Sequence, residues 1–276
     1  MCNKYSAVGV FDSGLGGLTA LKELRALLPH EHFIYFGDTG RVPYGTRSQE
    51  TILQYADDDM RFLSSFDIKA AVVACGTVSS VALPKLKENF PLLPIVGAVE
   101  PACHTALRES ENKKIAVFAT PATIGKKAFE ITLSRLCRSV TVFPVACPMF
   151  VPLIEGGYIA PDCTVTRLIA AEYLEKLRGA DIDTLILGCT HYPIIRELIA
   201  SVSAEVLGKS PRIIDAGYEA ALAAKELLNA KNVLNDSAEK GSVRYFVSDE
   251  TQNFTAVASI FLGEPAENVK KVVLGS

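Results

Sequence analysis

Three absences narrow what this chain can do. It has no block of Lys or Arg, and with a formal net charge of -3 over 276 residues it offers no electrostatic footprint for nucleic acid. No apolar run approaches the length that spans a bilayer, and Met1-Cys-Asn-Lys-Tyr5 lacks the charged-then-apolar build of a secretory signal. The seven cysteines form no C-x-x-C pair, and their odd number fits thiols kept for packing or reactivity better than a disulfide framework or a zinc ribbon. These features predict a cytoplasmic protein with no metal site, no membrane or nucleic-acid partner, and a small-molecule ligand. The length allows one large domain or two of ordinary size.

The chemistry gathers where apolar runs end. Leu185-Ile-Leu-Gly-Cys189-Thr190-His191-Tyr192-Pro193 reads as a buried strand breaking into three reactive side chains, at the carboxyl end where α/β proteins bind ligands. A lone Cys beside a His is equally a small buried hydrophobe beside a helix cap. Ala70-Ala-Val-Val-Ala-Cys75-Gly76-Thr77 repeats the plan of strand, Cys and Thr. Two copies suggest two half-sites facing each other across a cleft.

Along the chain, Val8-Gly-Val-Phe11 reads as a first strand and Asp12-Ser13-Gly14-Leu15-Gly16-Gly17 as the turn into a helix with Leu18, Leu21, Leu24 and Leu28 inward, ended by Pro29. Such glycines expose amides that suit a carboxylate or phosphate. Asp38 follows the next strand near where a dinucleotide-binding fold places its ribose-binding acid, but Thr19 stands where G-x-G-x-x-G needs its third glycine, which counts against that rival. Pro43-Tyr44-Gly45 forms a rigid loop, or a plain turn, before a capping box Thr46-Arg-Ser-Gln49 and a helix with Ile52, Ala56, Met60 and Leu63 inward. Gly97-Ala-Val-Glu100-Pro101 has the composition of a hinge.

Beyond it the plan begins again. Ile115-Ala-Val-Phe118-Ala-Thr120-Pro-Ala-Thr123 repeats the first strand and its hydroxyl-bearing turn, and Asp12 stands about as far from Cys75 as Thr120 from Cys189, indicating an internal duplication of one α/β unit. Val145 to Tyr158 reads as a loop holding Cys147 and Glu155, the latter a lone carboxylate that is either functional or part of a surface turn. Arg212-Ile-Ile-Asp215 reads as a strand leading back to the first unit, and a helix is expected over Thr251–Leu262. The predicted domains are 1–98 plus 211–276, discontinuous, and 99–210, inserted within it.

Two thiols across a cleft suit racemisation, in which one takes a proton from a carbon and the other returns one to the opposite face. A peroxide-sensing or disulfide-forming pair is the other reading of two facing cysteines, although it would not need the surrounding hydroxyls. Asp12 near Cys75 and His191 near Cys189 are candidates to orient or relay protons, and the hydroxyls of Ser13, Thr77 and Thr190 could hold carboxylates.

Phe11-Asp12-Ser13-Gly14, Pro43-Tyr44-Gly45, Cys75-x-Thr77, Glu100-Pro101 and Gly188-Cys189-Thr190-His191-Tyr192-Pro193 together resemble the glutamate racemase family, over nearly the whole chain. The resemblance implies two pseudo-symmetric parallel-sheet α/β domains with the active site in the cleft between them. It also implies cofactor-independent interconversion of L- and D-glutamate for peptidoglycan. By position it makes Cys75 and Cys189 the two acid/base thiols and Asp12, Glu155 and His191 auxiliary acids or bases. Ser13, Tyr44, Gly45, Gly76, Thr77, Thr120, Thr123 and Thr190 are set around the substrate, with Asp12 and His191 also in reach. It leaves a homodimer open. The chain departs from the family in having Gly76 and Val78 where Asn and Ala are usual, so an amide that would bind substrate is absent. A racemase or isomerase of another small acid such as aspartate, and a ligand-binding homologue without the chemistry, are the alternatives.

Overall fold

The structure, a computed structural model, describes residues 3–249 and 254–274. Its strands in chain order are β1 (Ala7–Asp12), β2 (Phe33–Gly37), β3 (Ile68–Val73), β4 (Ile95–Gly97), β5 (Lys114–Ala119), β6 (Thr141–Ala146), β7 (Thr184–Leu187), β8 (Arg212–Asp215), β9 (Val243–Val247) and β10 (Lys270–Lys271). They form two sheets, ordered β10-β9-β2-β1-β3-β4 and β6-β5-β7-β8, in which every pairing is parallel. Parallel strands carry helices on both faces, so central ones are apolar throughout; every residue of β1 and of β7 is buried.

The duplication is visible in the strand order. β2-β1-β3-β4 and β6-β5-β7-β8 are the same arrangement met twice along the chain, and β9 and β10 extend the first sheet alone. Arg212–Asp215 does not return to the first unit as its position beyond residue 210 suggested. It pairs with β7, Thr184 lying opposite Arg212 and Leu187 opposite Asp215, and so covers an edge that would otherwise present unpaired backbone groups.

Local signals explain most helix boundaries, and two readings need correcting. The helix Gln49–Ser64 buries Ile52, Ala56, Met60 and Leu63 as its spacing predicts, but its cap is Ser48, whose hydroxyl accepts from the Thr51 amide at 3.2 Å, while Thr46 ends a short 3₁₀ turn. The expected hinge at Gly97-Ala-Val-Glu100-Pro101 is instead the start of a helix, Val99–Glu109. Pro101 lies in its first turn, where a missing N–H leaves no bond unmade. The helix expected over Thr251–Leu262 is present as Phe254–Leu262, its first three residues lying outside those described. Among the described residues no helix is long and apolar enough to cross a membrane.

Candidate functional site

In each sheet the strand order reverses beside the first strand of its unit, between β1 and β3 and between β5 and β7. Crevices open at such points, outside the carboxyl ends of the strands. Cys75 follows β3 by two residues and Cys189 follows β7 by two. The two crevices face each other and share one cavity of about 380 Å³, within the range of small-molecule sites. Its walls include Cys75, Cys189, Ser13, Tyr44, Gly45, Gly76, Thr77, Thr120, Glu155, Thr190 and His191.

Two candidates stand behind the wall instead of on it. Asp12 is fully buried; its Oδ2 accepts from the Gly14 amide at 3.0 Å and its Oδ1 lies 3.5 Å from the Thr190 hydroxyl. Burial raises the Asp12 carboxyl above its ordinary pKa, with His191 pulling the other way. Thr123 is also buried. Its amide donates to Thr120 Oγ1 at 3.3 Å, so the pair caps the helix Pro121–Gly125 and aims the Thr120 hydroxyl. Thr120 Oγ1 then meets Thr77 Oγ1 at 3.0 Å, a hydroxyl pair joining the two halves of the cavity.

The two thiols sit in different electrostatic surroundings. Cys75 donates to Ser13 Oγ at 3.3 Å, and burial, reinforced by the charge of Asp12, pushes its pKa up to about 12. It is therefore a thiol near neutral pH. Cys189 Sγ lies 3.9 Å from His191 Nδ1, and His191 Nε2 lies 2.8 Å from Glu155 Oε1. Burial alone would lower the His191 pKa, but Cys189 and Glu155 outweigh it and raise it to about 10. The imidazole is thus a cation donating from both nitrogens, held between a sulfur and a carboxylate. It makes no helix-capping bond, which disposes of the bland reading of this residue.

The glycines serve close approach. A Cβ on Gly16 would lie 2.3 Å from Thr190 Oγ1 and 2.4 Å from His191 Nδ1, so the turn after β1 is the surface on which the Thr190–His191 corner of the other half seats. The Gly14 amide is taken by Asp12 instead of facing an anion. A Cβ on Gly76 would lie 2.1 Å from the carbonyl oxygen of Gly188, so the two cysteine-bearing loops meet backbone to backbone. No room exists there for the Asn side chain usual in the family that the sequence resembles.

Asp38 is likewise occupied within the protein. Its carboxylate accepts from Ser248 Oγ at 2.6 Å, from Arg41 Nε at 2.5 Å and from the Tyr44 hydroxyl. Asp59 completes this cluster, accepting from Arg41 at 2.8 Å and lying 3.1 Å from the Tyr44 hydroxyl oxygen, whose one hydrogen goes to Asp38. Sequence reasoning passed over Asp59, although its place on the face defined by Ile52, Ala56, Met60 and Leu63 is a legible signal of a buried acid. It gave no role to Cys147, and none to Val151 and Pro152, which together give the cavity an apolar wall. They were hidden because Val145 to Tyr158, read as a loop, contains the helix Phe150–Glu155 that carries Glu155 into the site.

Known proteins resemble this chain in sequence and in fold. Residues 19–224 match the family described as Asp/Glu/Hydantoin racemase. The chain is 43% identical over 267 residues to a glutamate racemase of Chlorobaculum tepidum, covering 97% of this chain and 96% of the relative. It is 42% identical over 270 residues to one from Geobacter metallireducens, covering 98% and 97%. In structure it is similar to the glutamate racemase of Francisella tularensis in complex with D-glutamate, with a TM-score of 0.90, 35% identity and 98% of each chain covered.

Proposed function

The chain belongs to the Asp/Glu/hydantoin racemase family and is an amino-acid racemase, and from that premise we propose that it interconverts L- and D-glutamate by passing protons through Cys189 and Cys75. The observation that carries this reading is that two cysteines stand at the two switch points of a duplicated fold and line one cavity.

In the L-to-D direction the Cys189 thiolate takes the α-proton and becomes a thiol, leaving a carbanion stabilised by the adjacent carboxylate. Cys75 then gives its thiol proton to the opposite face and becomes a thiolate. The surroundings match those roles. Cationic His191 supplies the positive charge that a thiolate at position 189 needs, while burial keeps Cys75 protonated until a carbanion accepts from it. The reverse reaction uses the same groups with roles exchanged, and the Ser13 hydroxyl, which already accepts from the Cys75 thiol, is the first group that can take its proton. Thr77, Thr120, Thr190 and the Pro43–Gly45 loop supply donors for the two carboxylates of the substrate. The D-glutamate formed serves peptidoglycan synthesis, and the reading places the protein in the cytoplasm, where free thiols stay reduced.

A chiral assay of the purified full chain with each enantiomer of glutamate and of aspartate, and no added cofactor, tests the proposal. Glutamate should racemise in both directions and aspartate far more slowly. Turnover of aspartate alone, or of neither acid, would overturn it.

A further inference from the structure

His191 belongs to the second half of the molecule, yet its ring is seated by the first. Phe261, on the helix Phe254–Leu262, packs perpendicular to it, with ring centres 4.9 Å apart and planes 83° apart. Phe261 is 2% exposed and belongs to the same core as Leu18 and Leu21, which anchors it to the helix after β1. Gly16, at the foot of that helix, leaves no space for even a methyl group beside the imidazole. Thr19, one turn on, shares its hydroxyl hydrogen between the Gly16 and Thr190 carbonyls, each at 2.8 Å, and so ties the backbone just before His191 to the turn after β1.

We propose that Phe261 is a positioning residue for proton transfer at Cys189: it holds the imidazole in the one plane in which Nδ1 faces the sulfur while Nε2 faces Glu155. With χ1 in a staggered well the ring is left with one broad torsion, χ2; Thr19 ties down the backbone beside it, and Gly16 crowds the ring edge at Nδ1 and Cε1. The Phe261 ring, set perpendicular to the imidazole, resists rotation about that torsion; an aliphatic side chain of similar volume fills the space without defining a plane. Phe261 touches neither cavity nor substrate, being absent from the cavity wall, so its effect runs entirely through His191. The inference rests on the two-thiol reading above.

The test compares Phe261→Leu and Phe261→Ala with the parent in the full chain, measuring kcat and KM in both directions and the isotope effect on kcat/KM with α-deuterated L- and D-glutamate. Substrate binding should hold, with KM within about twofold, while kcat falls at least about tenfold in Phe261→Ala and less in Phe261→Leu, since a misplaced catalytic group costs on the order of a hundredfold. The isotope effects should diverge. Slower transfer at Cys189 makes that step more rate-limiting, so the effect rises for the enantiomer deprotonated by Cys189 and falls for the one deprotonated by Cys75. A general loosening of the fold would lower both rates and leave the two isotope effects in their parental ratio, and that result in Phe261→Leu, or parental kinetics in Phe261→Ala, would overturn the proposal. Racemisation by Cys189→Ala would instead remove the reading beneath it, so the two failures are told apart.

Discussion

Replacing Gly76 by alanine tests whether the two halves must touch for turnover. The added Cβ would lie 2.1 Å from the Gly188 carbonyl oxygen, where ordinary contact begins at 3.4 Å, so one loop must yield by roughly 1.3 Å. Both loops carry a thiol, and the shift moves Cys75 away from Cys189. Overpacking of this kind costs about 1–3 kcal/mol, whereas removing a glycine from a helix gains only about 0.5–1 kcal/mol, and Gly76 opens the helix Gly76–Val81. The steric cost wins. Displacement of a reacting group by about 1 Å can cost on the order of a hundredfold in rate, so kcat for Gly76→Ala should fall by tenfold or more in both directions. Gly76→Asn fits only after the same loop shift, but once the loops have parted its amide can return a hydrogen bond to a charged substrate, worth about 1.5–3 kcal/mol, so its KM should be lower than that of Gly76→Ala. Circular dichroism of the glutamate enantiomers reads both constants. Parental kinetics in Gly76→Ala would show that the backbone contact is not needed for catalysis, and equal KM values for Ala and Asn would show that position 76 does not reach the substrate.

Further expectations follow from the electrostatics. The His191 pKa is raised by folding, so its contribution to stability is complete below about pH 6.5 and is lost as pH rises through about 10. Thermal melts of the parent should therefore decline over that window more steeply than those of His191→Asn; parallel curves would contradict the assignment. Arg41 lies between Asp38 and Asp59, both with fully buried side chains, and also pairs with Asp58. Arg41→Gln leaves the buried Asp38–Asp59 pair, whose Asp59 carboxyl burial already pushes well above the usual range, without its cation and should cost about 3 kcal/mol in denaturant titrations, the lower end of the range for a broken buried pair because Arg41 is itself 22% exposed. Because Tyr44 is anchored to the same two acids and lines the cavity, KM should rise in that variant as well, and an unchanged KM would separate the cluster from the substrate loop.

The sequence announced the architecture where its signals were local or repeated. Apolar runs ending in Cys75 and Cys189, and the echo of Val8–Ser13 in Ile115–Thr123, located the central strands and the two faces of the cavity. Signals that depend on partners distant in the chain were read less well. Arg212–Asp215 has the same apolar character whichever sheet it joins, and only its register with β7 decides the matter. Gly97 to Pro101 contains the residues of a turn, yet Pro101 falls in the one helical turn that tolerates it. Gly16 and Gly76 looked like anion-binding or missing-contact positions because a sequence does not show what stands opposite a glycine; in both cases it is the other half of the molecule. Asp12 and Thr123, expected at the substrate, stand behind the cavity wall and contact the Thr190 and Thr120 hydroxyls that line it.

The central claim is that two thiols, one on each face, carry the protons. Racemisation followed in heavy water examines it directly: product formed early from either enantiomer should carry deuterium at the α-carbon while recovered substrate keeps its protium, because the delivering thiol has already exchanged with solvent. In the same assay Cys75→Ala and Cys189→Ala should each lose racemisation, since neither remaining thiol reaches both faces. Deuterium appearing equally in recovered substrate and product, or substantial racemisation by either single variant, would mean that one base serves both faces and would contradict the account.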